Sequence, residues 1–498
     1  MPSRFRLAAA CAAVAVASLT PAAIATNGSA NQTTVRALPA LSHTGRWLTT
    51  PDGRAVVVHG FNLVAKTPPY EPGATGFGED DAAFLQAHGF NAVRLGVIFK
   101  GLEPTPGHFD EAYVDSIGST VQLLAAHGIY SLLDFHQDLY NERFQGEGLP
   151  DWMVQDDGLP AQPQTGFPGN YFAMPALWRT YDHLWHNAPG PRGRGLADWY
   201  AGAWAHVAAH FRGDTAVLGY DIFNEPFPGS PYLACFPPAG CPTYDAHLLR
   251  PFMAKVVTAI HRVDPRHIAF VEPWVTFDYS APTYLGKVAD DATGFSFHPY
   301  CLAALNLPVP DNGPMRTFCN KADEERGFDN AEKQLTASGQ VPLVSEFGAT
   351  SDTADLQEIL KLSDEHRFGW LNWAYCECGD PTGAGSIESL VYDVSKPPTD
   401  DNVNQSNLKT LDVTYPMIVA GTPTSYSYDP TGGRFLLQFT TRGPSAVPQP
   451  HGLTMLHVPH PPTHVVAKGA RVVSTTNGTV VLRNLPSAST VVVEVTTA

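Results

Sequence analysis

The stretch YDIFNEPFPG, residues 220–229, begins as a buried β-strand and then carries an amide, a carboxylate and a proline. A proline gives no hydrogen bond to a strand ladder, and it restricts the residue before it to an extended conformation. We therefore expect the strand to end here, with the backbone of Glu225 held extended at its tip. The function of the protein then depends on what this carboxylate faces.

Short apolar stretches of the same kind recur along the chain and alternate with stretches of helical periodicity such as residues 112–128 and 196–211. The pattern predicts an α/β protein, a (β/α)8 TIM barrel, in which the carboxyl ends of all strands meet at one face. A doubly wound sheet is the alternative, but it gathers its site at one switch point. The predicted strands are residues 55–62, 90–97, 128–138, 217–226, 267–274, 293–300, 341–348 and 368–375.

The composition changes after about residue 394. Residues 396–412 are polar and rich in proline, as linkers are, and residues 413–498 contain short alternating strands separated by turn signals. We expect a catalytic barrel over residues 26–395, a linker over 396–412 and an all-β sandwich over 413–498. For the sandwich, packing against the barrel is favoured over ligand binding.

The amino terminus has the layout of a secretory signal peptide. Residues 1–25 contain two arginines, an apolar run and then Ala23-Ile24-Ala25, which matches an A-x-A cleavage site. A membrane helix needs a longer apolar span, so we expect a soluble, secreted, extracellular protein.

Six cysteines remain after residue 25, and an even number in an exported chain favours disulfides. Close spacing favours Cys235 with Cys241 and Cys301 with Cys319; it leaves Cys376 and Cys378, whose direct bond is expected to be strained. The absence of any C-x-x-C pair argues against a zinc site.

The formal net charge of −17 disfavours binding to nucleic acid and gives no attraction to anionic lipid. We expect a monomer that needs no cofactor and no metal.

Two predicted strands end in a glutamate, Glu225 on the fourth and Glu346 on the seventh. Opposed carboxylates suit cleavage of a glycosidic bond, because one protonates the leaving oxygen while the other attacks the sugar carbon. If the two carboxyl groups lie about 5–5.5 Å apart, the anomeric configuration is retained.

Polar and aromatic residues at the other strand ends complete a pattern that resembles family 5 of the retaining glycoside hydrolases. The resemblance spans the whole barrel and implies that Glu225 is the general acid/base and Glu346 the nucleophile. It further implies that Asn224 binds the sugar 2-hydroxyl, that Arg94 and Tyr300 support Glu346, and that the remaining residues line the first sugar subsite. These subsite residues are His136, His298 and Trp373.

Elementary electrostatics agrees with these roles. Arg94 and the Tyr300 hydroxyl favour the charged form of Glu346, and that charge favours the protonated form of Glu225 for the first step. When the glycosyl ester forms, the repulsion disappears, and Glu225 is free to act as a base toward water.

Within family 5 the sequence is most similar to endoglycoceramidases, which release the intact oligosaccharide from the ceramide of a glycosphingolipid. The resemblance rests on residues 60–70, 132–154 and 220–229 and implies that Lys66, Asp138 and Trp178 contact the sugar. A lipid substrate also requires an apolar groove beside Glu225, for which the loops after the third and fourth strands are candidates, together with transient contact with a membrane or micelle surface.

Two alternatives remain at this point. An endo-β-glucanase or mannanase of the same family has aromatic platforms on both sides of the scissile bond rather than an apolar surface on one side. A non-catalytic glycolipid-binding protein on an inactive barrel usually lacks one of the two carboxylates, whereas both are present here.

Overall fold

The computed structural model describes residues 37–235, 239–301, 321–383, 385–476 and 478–497. The predicted signal peptide therefore lies outside the described residues. The strands of the described residues are β1 Ser42–Thr44, β2 Trp47–Thr49, β3 Ala55–Val56, β4 His59–Leu63, β5 Ala92–Val97, β6 Tyr130–Phe135, β7 Val217–Asp221, β8 Ile268–Val271, β9 Thr293–Phe297, β10 Val341–Val344, β11 Gly369–Asn372, β12 Tyr415–Val419, β13 Thr422–Asp429, β14 Arg434–Thr440, β15 Leu453–Val458, β16 Pro462–Lys468, β17 Ala470–Thr476, β18 Gly478–Asn484 and β19 Thr490–Thr497.

The helices lie mainly between the barrel strands. Most are amphipathic, and several begin with a side-chain cap; the Asp110 carboxylate, for example, accepts the backbone N–H of Tyr113 at 3.1 Å. They are α1 Pro72–Thr75, α2 Glu79–Ala87, α3 Phe99–Leu102, α4 Glu111–Ala126, α5 Gly169–Ala173, α6 Pro175–Trp185, α7 Leu196–His210, α8 Pro242–Tyr244, α9 Arg250–Val263, α10 Lys321–Ser338, α11 Thr353–His366 and α12 Gln405–Leu411. Among the described residues, no helix has both the length and the apolar character needed to cross a membrane.

Strands β4 to β11 form a closed parallel barrel, which confirms the predicted TIM barrel. It closes where β11 pairs with β4, with Trp370 opposite His59. Strands such as β5 and β6 are buried at every position, because side chains fill the barrel interior and helices cover its outside.

The first predicted strand, residues 55–62, is two strands rather than one. Residues Ala55–Val56 form β3, which pairs antiparallel with β12, whereas His59–Leu63 form β4 of the barrel. The apolar run is continuous because both halves are buried, but each half pairs with a different sheet.

The carboxyl-terminal region is an antiparallel sandwich. A seven-stranded sheet, in the order β1-β2-β3-β12-β15-β18-β17, faces a four-stranded sheet, in the order β13-β14-β19-β16. Alternate residues of β14 and β19 are buried between them, as the period of a half-buried strand requires. Strands β1 to β3 thus come from the region that the sequence assigned to the barrel.

The sandwich packs closely against the barrel. The carboxylate of Asp412 contacts both His88, at 2.6 Å, and His457, at 2.7 Å. The ring of Tyr415 stacks on that of His59 with centroids 3.7 Å apart. The predicted linker contains α12, whose Leu408 is buried, so this connection is folded rather than extended.

Two disulfides lie within the described residues. Cys235 is bonded to Cys241, as the spacing predicted, and the two remaining cysteines, Cys376 and Cys378, are bonded directly to each other. The predicted pair of Cys301 with Cys319 involves Cys319, which lies outside the described residues.

Candidate active site

A cavity of about 250 Å³ opens at the carboxyl ends of the barrel strands. It brings together most of the residues that the sequence predicted for the site, although they are far apart in the chain. Its predicted lining residues are Lys66, His136, Asp138, Asn224, Glu225, Tyr300, Glu346 and Trp373. Phe167, Pro168, Tyr279, Ala349, Asp380, Thr382, Gly383, Ile387 and Glu388 complete the lining.

The backbone of Glu225 is not extended, contrary to the expectation drawn from the following proline. Its φ is +43°, in the left-handed region that residues with a side chain rarely adopt. Two side chains hold this conformation: the Glu225 N–H donates to Glu272 at 2.8 Å, and the amide of Gln137 donates to the carbonyl of Asn224 at 2.8 Å. The tip of β7 is therefore fixed by hydrogen bonds from neighbouring strand ends as well as by the proline.

The two predicted catalytic glutamates meet at His298. Its Nδ1 atom lies 3.0 Å from Glu225 Oε1 and 3.7 Å from Glu346 Oε2. The two carboxylate oxygens are thus closer together than the sum of these distances. This upper limit on the distance between the two carboxylate oxygens excludes all but the lower edge of the range in inverting glycosidases, about 6.5–9.5 Å. It allows the spacing of about 5–5.5 Å found in retaining enzymes.

His298 also lies 3.4 Å from Glu272, through its other ring nitrogen. Burial favours the neutral ring, but the charges of Glu272 and Glu346 outweigh burial and raise the pKa of His298 well above its ordinary value. This shift favours the charged imidazolium, in which both ring nitrogens are donors and Nδ1 faces Glu225.

Arg94 connects the nucleophile position to several other strand ends. Its fully buried guanidinium donates to Asp221 at 2.8 Å and to Asn224 at 2.9 Å, and it contacts Glu346 directly. It also donates to Glu272 at 2.8 Å. The planar fork of an arginine satisfies this many acceptors at once, which a lysine cannot do.

The environment of Glu346 contains opposing influences. Burial raises the pKa of its carboxyl group above the ordinary value, although His298 and Arg94 both favour the ionised form. The hydroxyl of Tyr300 donates to Glu346 Oε2 at 2.9 Å and therefore also favours the carboxylate. The structure thus supports the roles predicted for Arg94 and Tyr300 as groups that contact Glu346.

Lys66, Asp138 and His136 form a second buried group around Trp373. The Lys66 ammonium contacts Asp138, lies 2.8 Å from Asp380 and sits 4.5 Å from the centre of the Trp373 ring. The His136 ring stacks on Trp373 with centroids 5.2 Å apart. An aromatic face surrounded by fixed charges and hydrogen-bonding groups is suited to a sugar ring.

All three of these side chains have shifted pKa values. Burial lowers the pKa of Lys66, but the charges of Asp138, Asp380 and Glu147 outweigh burial and raise it well above its ordinary value. Burial lowers the pKa of His136, but the charge of Asp134 together with hydrogen bonds to Asp134 and Asp138 outweighs burial and raises it to about 10. Burial raises the pKa of Asp138, but Lys66 and His136 outweigh burial and hold it below its ordinary value.

Trp178, predicted to contact sugar, does not line the cavity. Its indole N–H donates to the carbonyl of Tyr171 at 2.8 Å, and its ring packs 5.0 Å from Tyr232. It belongs to a set of touching rings that runs from the cavity wall to the surface, which we call the outer aromatic cluster. The cluster consists of Phe167, Tyr171, Phe172, Trp178, Phe227 and Tyr232.

The outer aromatic cluster ends at exposed apolar side chains. Phe172 is 37% exposed, and Leu233, next to Tyr232 in the chain, is 63% exposed. This is the region in which the sequence predicted an apolar surface, from the loops after the third and fourth barrel strands. Trp152, from the same set of loops, instead packs against Phe99 and Trp199.

Several site residues were not singled out in the sequence. Glu272 follows β8 in the stretch VEPW, where a glutamate precedes a proline as it does at Glu225. The repeated Glu-Pro pattern is therefore a signal by which Glu272 could have been found in the sequence. Asp278 and Asp380 lie in the loops after β8 and β11. Because they are several residues away from the strand ends, the sequence contains no pattern that marks them as site residues.

Two buried groups in the described part of the chain offer three potential ligand atoms within 4.8 Å of one another. In the first, which contains His136 and Asp138, the Lys66 ammonium already lies against the carboxylates. In the second, Glu225 is within hydrogen-bonding distance of the His298 imidazolium. Because each group contains its own cation, we assign neither to a metal.

A TIM barrel with two close glutamates at the ends of β7 and β10 is the arrangement expected of a glycoside hydrolase. A family model described as cellulase, glycosyl hydrolase family 5, matches residues 52–379. A second model, the glycoside hydrolase family 5 C-terminal domain, matches residues 414–497. The chain therefore belongs to glycosyl hydrolase family 5.

Its relatives confirm the resemblance to endoglycoceramidases. Endoglycoceramidase I of Rhodococcus hoagii is 31% identical over 441 residues, which cover 85% of this chain and 82% of the relative. An endoglycoceramidase of Cyanea nozakii is 29% identical, with 78% of each chain covered. The structure of endo-glycoceramidase II from Rhodococcus sp. in complex with ganglioside GM3 is similar at a TM-score of 0.74 and 26% identity, with 91% of this chain and 100% of that chain covered.

Proposed function

We propose that this glycosidase hydrolyses the β-glycosidic bond between the oligosaccharide and the ceramide of glycosphingolipids. The observation that carries the proposal is the pair of glutamates on one cavity, with one nitrogen atom of His298 close to both. The relatives named endoglycoceramidase support the substrate class, and the GM3 complex of a similar structure supplies a ganglioside to test.

The first step is attack of the Glu346 carboxylate on the anomeric carbon of the sugar attached to ceramide. Glu225 donates its proton to the ceramide oxygen as the bond from the sugar carbon to that oxygen breaks. The products are free ceramide, a glycosyl ester on Glu346 and a carboxylate on Glu225. Arg94 and Tyr300 hold Glu346 in its ionised and correctly oriented form before attack.

In the second step a water molecule replaces ceramide. Glu225 accepts a proton from the water, whose oxygen attacks the anomeric carbon and releases Glu346. Two inversions retain the β configuration, and each residue returns to its starting protonation state. The oligosaccharide leaves intact, because only the bond to ceramide is cleaved.

The two sides of the cavity suit the two parts of such a substrate. Lys66, Asp138 and Asn224 offer hydrogen bonds to sugar hydroxyls, and Trp373 offers a ring face. Tyr171, Phe227 and Tyr232 of the outer aromatic cluster are buried, but the exposed side chains at its outer end, Phe172 and Leu233, offer an apolar surface to a lipid chain.

The experiment is incubation of the purified protein with GM3 and, separately, with a soluble β-glucan, with products identified by mass. We expect intact oligosaccharide and free ceramide from GM3, and no product from the Glu346→Gln variant. Glu332→Gln is the matched control, because this carboxylate pairs with Arg46 outside the cavity. Cleavage of the glucan alone would assign the protein to the polysaccharide hydrolases, and full activity of Glu346→Gln would refute the mechanism.

A second experiment tests the lipid side. Leu233→Ser and Phe172→Ser are expected to raise KM for GM3 in micelles, while leaving hydrolysis of a soluble aryl β-lactoside unchanged. Val473→Ser is the control, since Val473 is 44% exposed on the sandwich. Equal effects on the micellar and soluble substrates would contradict contact with lipid.

We also propose that the protein is exported and acts outside the cell. The support is the layout of residues 1–25. Sequencing of the amino terminus of protein recovered from the culture medium tests this, with Thr26 as the expected first residue. Recovery only from the cell interior, with residue 1 retained, would contradict it.

A further inference from the structure

The carboxyl group of Asp278 lies against the proposed acid/base, Glu225, but takes no part in the two proposed chemical steps. Asp278 is in the 3-10 segment Val275–Tyr279 that follows β8, and only 6% of it is exposed. One side-chain atom each of Asp278, Glu225 and His298 lies within 4.8 Å of the other two. The carboxyl groups of Asp278 and Glu225 are within hydrogen-bonding reach of each other.

The backbone places Asp278 firmly. Its carbonyl accepts the N–H of Tyr300 at 3.1 Å, so the segment after β8 is tied to the segment after β9. Tyr300 in turn donates to Glu346. Asp278 is therefore part of the framework that also places the nucleophile.

Two carboxyl groups in a hydrogen bond must hold at least one proton between them, because two carboxylates have no donor to share. His298 already places its Nδ1 atom 3.0 Å from Glu225 Oε1, so Glu225 accepts a hydrogen bond on this side. Burial raises the pKa of Asp278 well above its ordinary value, and the charge of Glu225 raises it further. When the pair holds a single proton, these contacts leave it on Asp278; in the form that begins the first step Glu225 carries a second proton, the one that it gives to the leaving oxygen.

We propose that Asp278 is a positioning residue, a neutral carboxylic acid that donates a hydrogen bond to Glu225. The inference rests on the role of Glu225 as acid/base in the proposed function. When Glu225 gives its proton to the leaving oxygen, the O–H of Asp278 stabilises the carboxylate that forms. When water is deprotonated, the proton goes to Glu225, and Asp278 keeps its own proton throughout.

Other titratable groups face this pair from the surrounding elements. They are His298 after β9, Glu272 after β8, Glu346 after β10, and the hydroxyls of Tyr171, Tyr279 and Tyr300. Among these groups, Glu272 and Glu346 lie on the His298 side of Glu225, where the imidazolium contacts all three carboxylates. Asp278 instead pairs with Glu225 itself.

The test compares Asp278→Asn, which keeps a neutral donor, with Asp278→Ala, which removes it. The readout is the basic limb of the pH profile of kcat/KM for GM3, which reports loss of the essential proton from the free enzyme. For Asp278→Ala we expect the limb to move up by about one pH unit and kcat/KM to fall roughly tenfold. For Asp278→Asn the limb is expected to stay within about half a pH unit, with a loss below about threefold.

If Asp278 were ionised, the basic limb of the pH profile would shift in the opposite direction. Removal of a like charge in Asp278→Asn would then move the basic limb to lower pH. That result, or a limb that stays in place in both variants, would overturn the inference. A dinitrophenyl β-lactoside, whose leaving group needs no proton, should react with Asp278→Ala at close to the wild-type rate of its first step. A loss equal to that with GM3 would indicate a merely structural role.

Two further variants separate this inference from the proposed function. Glu225→Gln must lose activity on GM3 while its first step with the dinitrophenyl substrate persists, and otherwise the acid/base assignment itself fails. Asp245→Asn controls for the loss of a buried carboxyl group, because burial raises the pKa of Asp245 to about 6, and this residue bonds to Thr283 and Tyr284 outside the cavity. Its pH profile should match that of the wild type.

Discussion

Tyr300→Phe removes one oxygen atom beside the proposed nucleophile and leaves the ring in place. The hydroxyl of Tyr300 donates to Glu346 Oε2 at 2.9 Å. Burial already raises the pKa of Glu346, so this donor is one of the groups that keep the carboxylate available for attack. Its loss must therefore raise the pKa of Glu346 further.

The magnitude follows from the type of bond. A hydrogen bond to a charged group contributes about 1.5–3 kcal/mol. One pKa unit corresponds to about 1.4 kcal/mol, so the pKa of Glu346 is expected to rise by about one to two units. Because the ionised form reacts, the acid limb of kcat/KM moves to higher pH by the same amount. At a fixed pH below this limb, the rate falls by about tenfold for each unit.

The assay is the pH profile of kcat/KM with a soluble aryl β-lactoside, which avoids the pH dependence of micelles. Tyr220→Phe is the matched control, since its hydroxyl donates at 2.7 Å to the carboxylate of Asp264, away from the cavity. This control is expected to lose stability without a shift of the acid limb. An unmoved acid limb in Tyr300→Phe, or one that moves to lower pH, would refute the role assigned to Tyr300.

Three further changes test the framework. Lys66→Met leaves the buried carboxylate of Asp380 without its cation and leaves Asp138 paired with His136 alone, and it is expected to lower the free energy of unfolding by about 3–5 kcal/mol, measured by denaturant titration; a loss below about 1 kcal/mol would contradict the pairing. Burial lowers the pKa of His59 well below its ordinary value, so below about pH 6.5 the unfolded chain binds more protons than the folded protein. The free energy of unfolding should therefore fall by up to about 1.4 kcal/mol for each unit by which the pH is lowered. His59→Phe should reduce this slope by that amount, and an unchanged slope would mean that other groups cause it. Asp412→Asn weakens two contacts to histidines between barrel and sandwich and should cost about 1–3 kcal/mol with unchanged kcat, whereas a change in kcat alone would contradict a structural role for that contact.

The barrel could be predicted because each strand is a short apolar run that ends abruptly in a polar or aromatic residue. This pattern gave the positions of Glu225, Glu346 and His298 without any knowledge of pairing, whereas Arg94, which lies inside β5, was predicted from the resemblance to family 5. It also gave their convergence, since parallel strands in a closed barrel present their carboxyl ends at one face. The same reasoning did not separate β3 from β4, because the choice of pairing partner leaves no trace in a continuous apolar run.

Positions in the segments that connect the barrel strands could not be predicted in the same way. Trp178 lies on α6, and whether its ring faces the cavity depends on how the helix packs against Tyr232 rather than on local sequence. Asp278 and Asp380 reach the site through loops after β8 and β11, and a loop can return to the barrel mouth or leave it with the same composition. The conformation of Glu225 was misjudged for a similar reason, because the Glu272 carboxylate that accepts its N–H comes from the next strand.

The contacts around Arg94 explain how the spacing of the two glutamates is maintained. The guanidinium contacts Glu346 directly and also donates to Glu272, and Glu272 accepts the backbone N–H of Glu225. One cation thus links the nucleophile to the backbone of the acid/base through a single intermediate carboxylate. Because every member of this chain is buried, a displacement of one carboxylate leaves an unpaired charge or an unsatisfied donor in a medium that screens poorly. The spacing on which retention depends is therefore maintained by the cost of separating buried charges, and the loops around the mouth are free to vary with the substrate.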